Sequence, residues 1–178
     1  MRAHIVHGFN VKDAGKGTTD TLKPFLYAAG YEVLDQDYGW FGLLSVRFRN
    51  DDVARRIAKS VLPGDIAFGH SNAGDILRQA AWLGAPFKGI VLIHPALDRD
   101  TRLAPQVEWV QVYHSSKDEV VVASKFLWFN HPWGDMGNVG YKGQDARWTN
   151  FEERFEHSEM FQHMAEWGPR LLENLPKS

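Results

Sequence analysis

Apolar and polar positions along the chain follow two patterns, short apolar runs and longer stretches with helical spacing. The short runs predict five β-strands, at residues 4–7, 31–34, directly before Ser71, 89–93 and 109–113. Between the runs, apolar residues recur every three to four positions, which is typical of helices. The helical stripes are Leu22, Phe25, Leu26 and Ala29; Val53, Ile57 and Val61; Ile76, Leu77, Ala80 and Ala81; and Phe161, Met164, Leu171, Leu172 and Leu175.

Polar residues and glycines indicate where these helices begin and end. Residues 18–20 (Thr-Thr-Asp) can cap the first helix, and residues 50–52 (Asn-Asp-Asp) are predicted to cap the second. Gly30 and Gly84 follow the first and third helical stripes, as expected for helix ends.

The alternation of strands and helices predicts an α/β protein, a three-layer α/β/α sandwich around a mostly parallel sheet. The apolar run at residues 89–93 fits a strand buried on both faces. A chain of 178 residues is long enough for one such domain, so we expect a single domain spanning residues 1–178. Ser71, His94 and Asp118 all follow strand ends, and ligands of parallel sheets bind at that edge.

The most informative segment is residues 65–74, Asp-Ile-Ala-Phe-Gly-His-Ser-Asn-Ala-Gly. The segment contains an apolar run, then a sharp turn that carries Ser71, then a helical pattern. This order predicts a nucleophile elbow, a turn that places a serine hydroxyl above the edge of a sheet. The small residues Gly69 and Ala73 suit this strained turn. The alternative interpretation is that Ser71 only caps the following helix.

A serine nucleophile needs a base and an orienting carboxylate. We predict His157 as the base and Asp118 as the acid, with Asp98 as the reserve acid and His131 and His163 as reserve bases. The predicted oxyanion donors are backbone N–H groups, one of Asn72 after the nucleophile and one of Phe9 in the loop after the first strand. Asp118 as a plain turn residue and His157 as a plain capping residue are the competing interpretations.

Aromatic residues surround this candidate site in the sequence. Trp133, Met136 and Tyr141 belong to a glycine- and aromatic-rich stretch at residues 126–148, and Trp40 and Phe41 lie in a second one. We predict these five as substrate-binding residues. The stretch 126–148 is equally compatible with a lid over the site and with an excursion packed on the domain itself.

Composition excludes several function classes. A net charge of −2 provides no basic footprint for nucleic acid, and the absence of cysteine excludes disulfides and thiolate catalysis. No apolar run reaches the ~20 residues of a membrane span, and no signal peptide is visible, so a cytoplasmic location is the expectation. The oligomeric state cannot be predicted.

Three other features of the sequence provide little support for a functional site. Residues 15–18 resemble a phosphate-binding loop but lack its first glycine and the Ser or Thr after the lysine. His4 and His7 are expected to point to opposite faces of a strand, so we do not expect them to share a metal. His70 is expected to point away from Ser71 and to serve in packing.

The order Ser71, Asp118, His157 on this strand and helix pattern resembles small serine hydrolases of the α/β-hydrolase superfamily that lack a cap domain. The resemblance covers nearly the whole chain. We expect no counterparts of the family's first two strands, and the resemblance implies a minimal sheet of about six strands. It also implies an esterase- or thioesterase-like enzyme that acts on a small-molecule acyl substrate without cofactor or metal. Two alternatives remain open, a non-catalytic binding protein on this scaffold and an acyltransferase or peptidase using the same three residues.

Overall fold

The structure is a computed structural model that describes residues 1–9, 13–40, 45–124 and 133–176. Within these ranges no helix is sufficiently long and apolar to cross a lipid bilayer.

Six strands form one sheet in which every neighbouring pair is parallel. The strands are β1 (Arg2–Val6), β2 (Glu32–Asp35), β3 (Ile66–His70), β4 (Gly89–Ile93), β5 (Trp109–His114) and β6 (Trp148–Glu152). Their order across the sheet is β2-β1-β3-β4-β5-β6, so β3 and β4 lie at its centre. The predicted fold class is confirmed, as is the sheet of about six strands that the resemblance implies.

Helices cover both faces of the sheet. They are α1 (Lys23–Ala28), α2 (Val46–Ser60), α3 (Ala73–Trp82), α4 (Glu119–Ser124), α5 (Met136–Val139) and α6 (Met164–Asn174), with 3-10 turns at Thr19–Leu22 and Glu159–His163. One core cluster joins α2 and α3 to one face, and a second joins α1 and α6 to the other. Because side chains of each strand alternate between the two clusters, the sheet is buried on both sides, as the three-layer prediction requires.

The predicted start of the second helix is wrong. Helix α2 begins at Val46, which is fully buried, and Asn50 lies inside the helix instead of capping it. The Asn50 amide is also fully buried, and it forms hydrogen bonds with Asn72 and Asp75 on α3. A tertiary partner has therefore replaced the local backbone bond that makes asparagine a good cap.

Strand β6 and helices α4 and α5 are absent from the sequence-based prediction. Strand β6 is an edge strand with mostly exposed residues, including Thr149, Asn150 and Glu152. It carries neither a continuous apolar run nor a clean alternation, and its pairing with β5 only forms in the folded sheet.

Candidate active site

Ser71 lies in a sharp turn between β3 and α3, at the centre of the sheet. Its φ is +56°, which places its backbone in the left-handed region. Residues other than glycine adopt this conformation only under strain. The turn is stabilised by hydrogen bonds from Ser71 N–H to the Ile93 carbonyl and from Gly74 and Ala96 N–H to the Ser71 carbonyl. A side chain at Gly69 would lie 2.7 Å from Leu77 and 3.2 Å from the Ala73 Cβ, so the turn requires glycine there.

Three side chains from distant parts of the sequence are linked by two consecutive hydrogen bonds. Ser71 Oγ lies 2.9 Å from Nε2 of His157, and Nδ1 of His157 lies 2.8 Å from Oδ2 of Asp118. These distances fit a hydroxyl that donates to a neutral imidazole, whose other nitrogen donates to a carboxylate. His157 follows β6, which explains why the missed strand matters for the site.

Asp118 is completely buried in the loop between β5 and α4. Its second oxygen, Oδ1, accepts a hydrogen bond of 3.1 Å from the Val121 N–H, and Nδ1 of the buried His94 lies 3.2 Å from Oδ2. Burial alone raises the pKa of the Asp118 carboxyl, but the hydrogen bond from His157 and the nearby His94 ring outweigh it and hold the pKa well below its usual range. Asp118 is therefore a carboxylate at neutral pH.

His70 is buried and packs against Phe161 and His157, as expected, but it also forms a hydrogen bond that the sequence did not predict. Its Nε2 lies 2.9 Å from the backbone carbonyl of His157 and orders the loop that carries that residue. Burial is the main reason why the pKa of His70 lies well below 6.5. We call His70, His94, Asp118 and His157 the histidine cluster.

The loop after β1 packs directly against the serine turn. A Cβ at Gly8 would lie 3.2 Å from Ser71 Cβ and 3.1 Å from His70 Nδ1, so the backbone of this loop approaches the hydroxyl closely. Phe9 follows Gly8, and Asn72 follows Ser71 at the start of α3. The two residues predicted to supply oxyanion donors thus lie on two segments that are in contact beside Ser71.

The structure separates the predicted substrate-binding residues. Trp133 packs on Phe9 with ring centroids 5.3 Å apart, and Trp40 is 56% exposed. Met136 is fully buried in the core, which leaves it no surface for a ligand. Tyr141 stacks on Trp148 at the amino-terminal end of β6, whereas Ser71 follows the carboxyl-terminal end of β3. Phe41 lies outside the described residues.

The two reserve candidates within the described residues, Asp98 and His163, have no part in this arrangement. Asp98 is exposed after β4, and His163 is exposed beside Glu159 and Phe155. His131 lies outside the described residues. Residues 126–132 of the aromatic stretch also fall outside them, which leaves its role as a lid a prediction.

A polar cleft opens beside the candidate base. It has a volume of about 850 Å³, and His157, Lys117, Glu119, Glu156 and Gln162 are among its lining residues. The cleft provides room for part of a ligand next to His157.

His94, Asp118 and His157 also form the one group, among the described residues, with enough ligand atoms close together for a metal ion. Their nitrogen and oxygen atoms lie within 4.8 Å of one another. However, both ring nitrogens of His157 are already hydrogen-bonded, to Ser71 and Asp118. A metal would have to break this chain, so the arrangement fits proton transfer better than metal binding.

Comparison with known proteins agrees with this architecture. The sequence matches no protein-family model and no curated protein. Among solved structures it is similar to an extracellular α/β-hydrolase from a Paenibacillus species (12% identity, 100% of both chains, TM-score 0.64). It is also similar to α/β hydrolase domain-containing protein 10 from mouse (12% identity, 97% of this chain and 89% of that chain, TM-score 0.62) and to an esterase from Pyrococcus furiosus (12% identity, 97% and 81%, TM-score 0.61). This chain therefore has the α/β-hydrolase fold.

Proposed function

We propose that the protein is a serine hydrolase that cleaves a carboxylic ester or a related acyl substrate such as a thioester. The observation that carries the proposal is the hydrogen-bonded chain from Ser71 Oγ through His157 to Asp118, at the turn where Ser71 has a φ of +56°. The likeness in fold to a protein named as an esterase is compatible with this chemistry.

In the proposed reaction, Ser71 Oγ attacks the acyl carbonyl while His157 Nε2 accepts the hydroxyl proton. The imidazolium that forms donates from Nδ1 to Asp118, whose depressed pKa keeps the carboxylate charged. His157 then passes the proton from Nε2 to the leaving oxygen or sulfur. A water molecule activated by the same nitrogen releases the acyl group from Ser71.

The oxyanion of the tetrahedral intermediate needs donors that are already in place. We assign this role to the backbone N–H groups of Phe9 and Asn72, which belong to the two segments in contact beside Ser71. Loss of one such donor typically reduces turnover by about 10²–10³-fold. The cleft beside His157 would accept the leaving group or part of the acyl chain.

Labelling with a fluorophosphonate tests the proposal directly, because this probe reacts only with an activated serine. We expect rapid labelling of the wild type and none of Ser71→Ala, together with hydrolysis of p-nitrophenyl esters that the variant lacks. Ser115→Ala is the matched control, since Ser115 is buried nearby after β5 but lies outside the hydrogen-bonded chain. Equal labelling of wild type and Ser71→Ala would contradict the proposal.

Product analysis distinguishes hydrolysis from acyl transfer on the same residues. With a competing alcohol or amine present, a hydrolase releases mainly free acid, whereas an acyltransferase releases mainly the new ester or amide. No labelling at Ser71 together with no turnover of any ester would instead point to a binding protein.

A further inference from the structure

The side chain of Asn72 is held by several hydrogen bonds inside the protein. Its Oδ1 accepts from Asn50 Nδ2 at 2.9 Å and from Trp133 Nε1 at 2.7 Å. Its Nδ2 donates to Asn50 Oδ1 at 2.8 Å, and the amide lies near the Tyr38 hydroxyl. An amide offers two donor hydrogens and two acceptor positions, and three of these four are paired with Asn50 and Trp133, so rotation of this side chain would break several hydrogen bonds.

The partners of Asn72 also contact the loop that carries the second proposed donor. Trp133 packs its ring against Phe9, 5.3 Å between centroids. The Tyr38 hydroxyl lies 2.7 Å from the Gly8 carbonyl and 2.8 Å from the His7 carbonyl, on the peptide groups just before Phe9. Two aromatic side chains therefore bridge the loop after β1 and the residue after the nucleophile.

The amide cluster, defined as Tyr38, Asn50, Asn72 and Trp133, is buried except for part of Trp133. Asn50 continues it to Asp75 on α3 through a hydrogen bond of 2.9 Å. Buried polar groups are costly unless they are paired, and this cluster pairs them between α2, α3, the β1 loop and the segment before α5. Apolar residues would fill this space equally well. We therefore infer that the polar side chains fix the relative positions of the segments that they join.

We propose that Trp133 and Tyr38 are positioning residues that clamp the loop of Phe9 to Asn72 and so preorganise the two backbone donors of the oxyanion hole. The inference rests on the proposed hydrolase function and goes beyond it, because it assigns both side chains to the support of the backbone donors. It also replaces the sequence-based assignment of Trp133 as a substrate-binding residue.

The two roles of Trp133 predict different kinetics. A residue that only contacts substrate contributes equally to the ground state and the transition state, so its loss raises KM and leaves kcat unchanged. A residue that positions oxyanion donors acts only when the oxyanion forms, so its loss lowers kcat. Small misplacements near the reacting atoms are costly, up to about 10²-fold for 1 Å.

The test uses Trp133→Phe, which keeps an aromatic ring against Phe9 but removes the indole donor. Trp148→Phe is the matched control, because Trp148 is in the same core cluster and its buried Nε1 has no hydrogen-bond partner. We expect Trp133→Phe to lower kcat about tenfold with KM changed less than about threefold, and Trp148→Phe to leave both unchanged.

Two further readouts separate positioning from a loss of structure. A trifluoromethyl ketone, which forms an oxyanion adduct with an active serine, should bind Trp133→Phe more weakly by about the same factor as kcat falls. The shape of the pH–activity profile should stay that of the wild type, since the histidine cluster is unchanged. A rise in KM alone, or equal behaviour of the two tryptophan variants, would overturn the inference.

Tyr38→Phe tests the same clamp if Trp133→Phe does not fold. It removes only the hydroxyl that donates to the Gly8 and His7 carbonyls, and Tyr113→Phe is the control, a buried tyrosine in the other core cluster. Tyr38→Phe should lower kcat and weaken the trifluoromethyl ketone in parallel, and unchanged values would reject the clamp. If the fluorophosphonate does not label Ser71 in the wild type, the hydrolase function itself is rejected. If the wild type is labelled but Tyr38→Phe and Tyr113→Phe have the same kcat, only the clamp is rejected.

Discussion

Ser71 lies between two buried polar clusters with different chemistry. On one side the histidine cluster consists of imidazoles around the Asp118 carboxylate. On the other side the amide cluster consists of amide, phenol and indole groups, which keep their protonation states across the neutral range.

This difference follows from what each side must do in the proposed reaction. Proton transfer requires groups whose protonation changes near neutral pH, and histidine is the side chain with that property. Holding backbone donors in place requires strong hydrogen bonds that do not change when a proton moves. We therefore expect changes in the histidine cluster to alter the pH dependence of activity, and changes in the amide cluster to alter kcat at every pH.

The largest expected effect comes from Asp118→Asn, which keeps the shape of the side chain but removes its charge. Without the carboxylate, the imidazolium of His157 loses its stabilising partner and the imidazole its required tautomer, so kcat/KM should fall about 10⁴-fold. The measurement is ester hydrolysis at pH 7. Asp98→Asn is the control for the reserve acid, and a comparable loss there would reassign the acid.

The next effect is the acid limb of the wild-type pH profile. Protonated His157 cannot accept the Ser71 proton, so kcat/KM should fall about tenfold per pH unit once the base is charged. Stopped hydrolysis assays across the range from pH 8 to 4 measure this limb. A profile that remains flat down to pH 4 would argue against a histidine base.

Gly8→Ala is expected to displace the loop after β1, which lies between the histidine cluster and the amide cluster. The new methyl group would lie 3.1 Å from His70 Nδ1 and 3.2 Å from Ser71 Cβ, which forces the loop of Phe9 to shift by tenths of an ångström. We expect kcat to fall about tenfold with KM nearly constant. Gly17→Ala in the same connection is the control, because its nearest neighbour is the Asp13 side chain near the surface, and a similar loss there would indicate a general effect of loop stiffness.

The smallest effect concerns stability. The pKa of His70 is well below 6.5 in the folded protein, mainly because of burial, so below pH 6.5 the unfolded chain binds a proton that the folded protein does not. Stability from this group is complete above pH 6.5 and decreases as the pH falls, by at most about 1.4 kcal/mol per pH unit. Urea unfolding between pH 7 and 5 should show a shallower slope for His70→Gln than for the wild type.

The same experiment needs a control because other buried histidines contribute with the same sign. The pKa values of His4 and His114 are also lowered by burial, so a residual slope should remain in His70→Gln. His163→Gln, at an exposed position, provides the matched substitution. An identical slope in His70→Gln and the wild type would show that His70 is not kept neutral by the fold.

Local patterns were sufficient for the central elements of the fold. The strand at Gly89–Ile93 has the predicted bounds, and the turn at Ser71 lies between a strand and a helix as its small flanking residues indicate. These elements are buried on both sides, so their apolar periodicity is strong and no distant contact competes with it. The edge strand β6 has no such signal, since its residues are largely exposed and its pairing partner is more than thirty residues earlier.

The sequence by itself determined the fold class and the order of chemical groups along the chain, because periodicity, turn residues and strand ends are local properties. Only the tertiary structure decided which polar residues are partners. Asn50 was predicted to cap a helix, but its side chain pairs with Asn72. Trp133 was predicted to contact the substrate, and its indole donates to the same Asn72 amide. His70 was predicted to serve in packing, and it also hydrogen-bonds to the backbone of His157. Each of these bonds joins residues at least twenty positions apart, and a buried polar group takes whichever partner the packed chain places within reach.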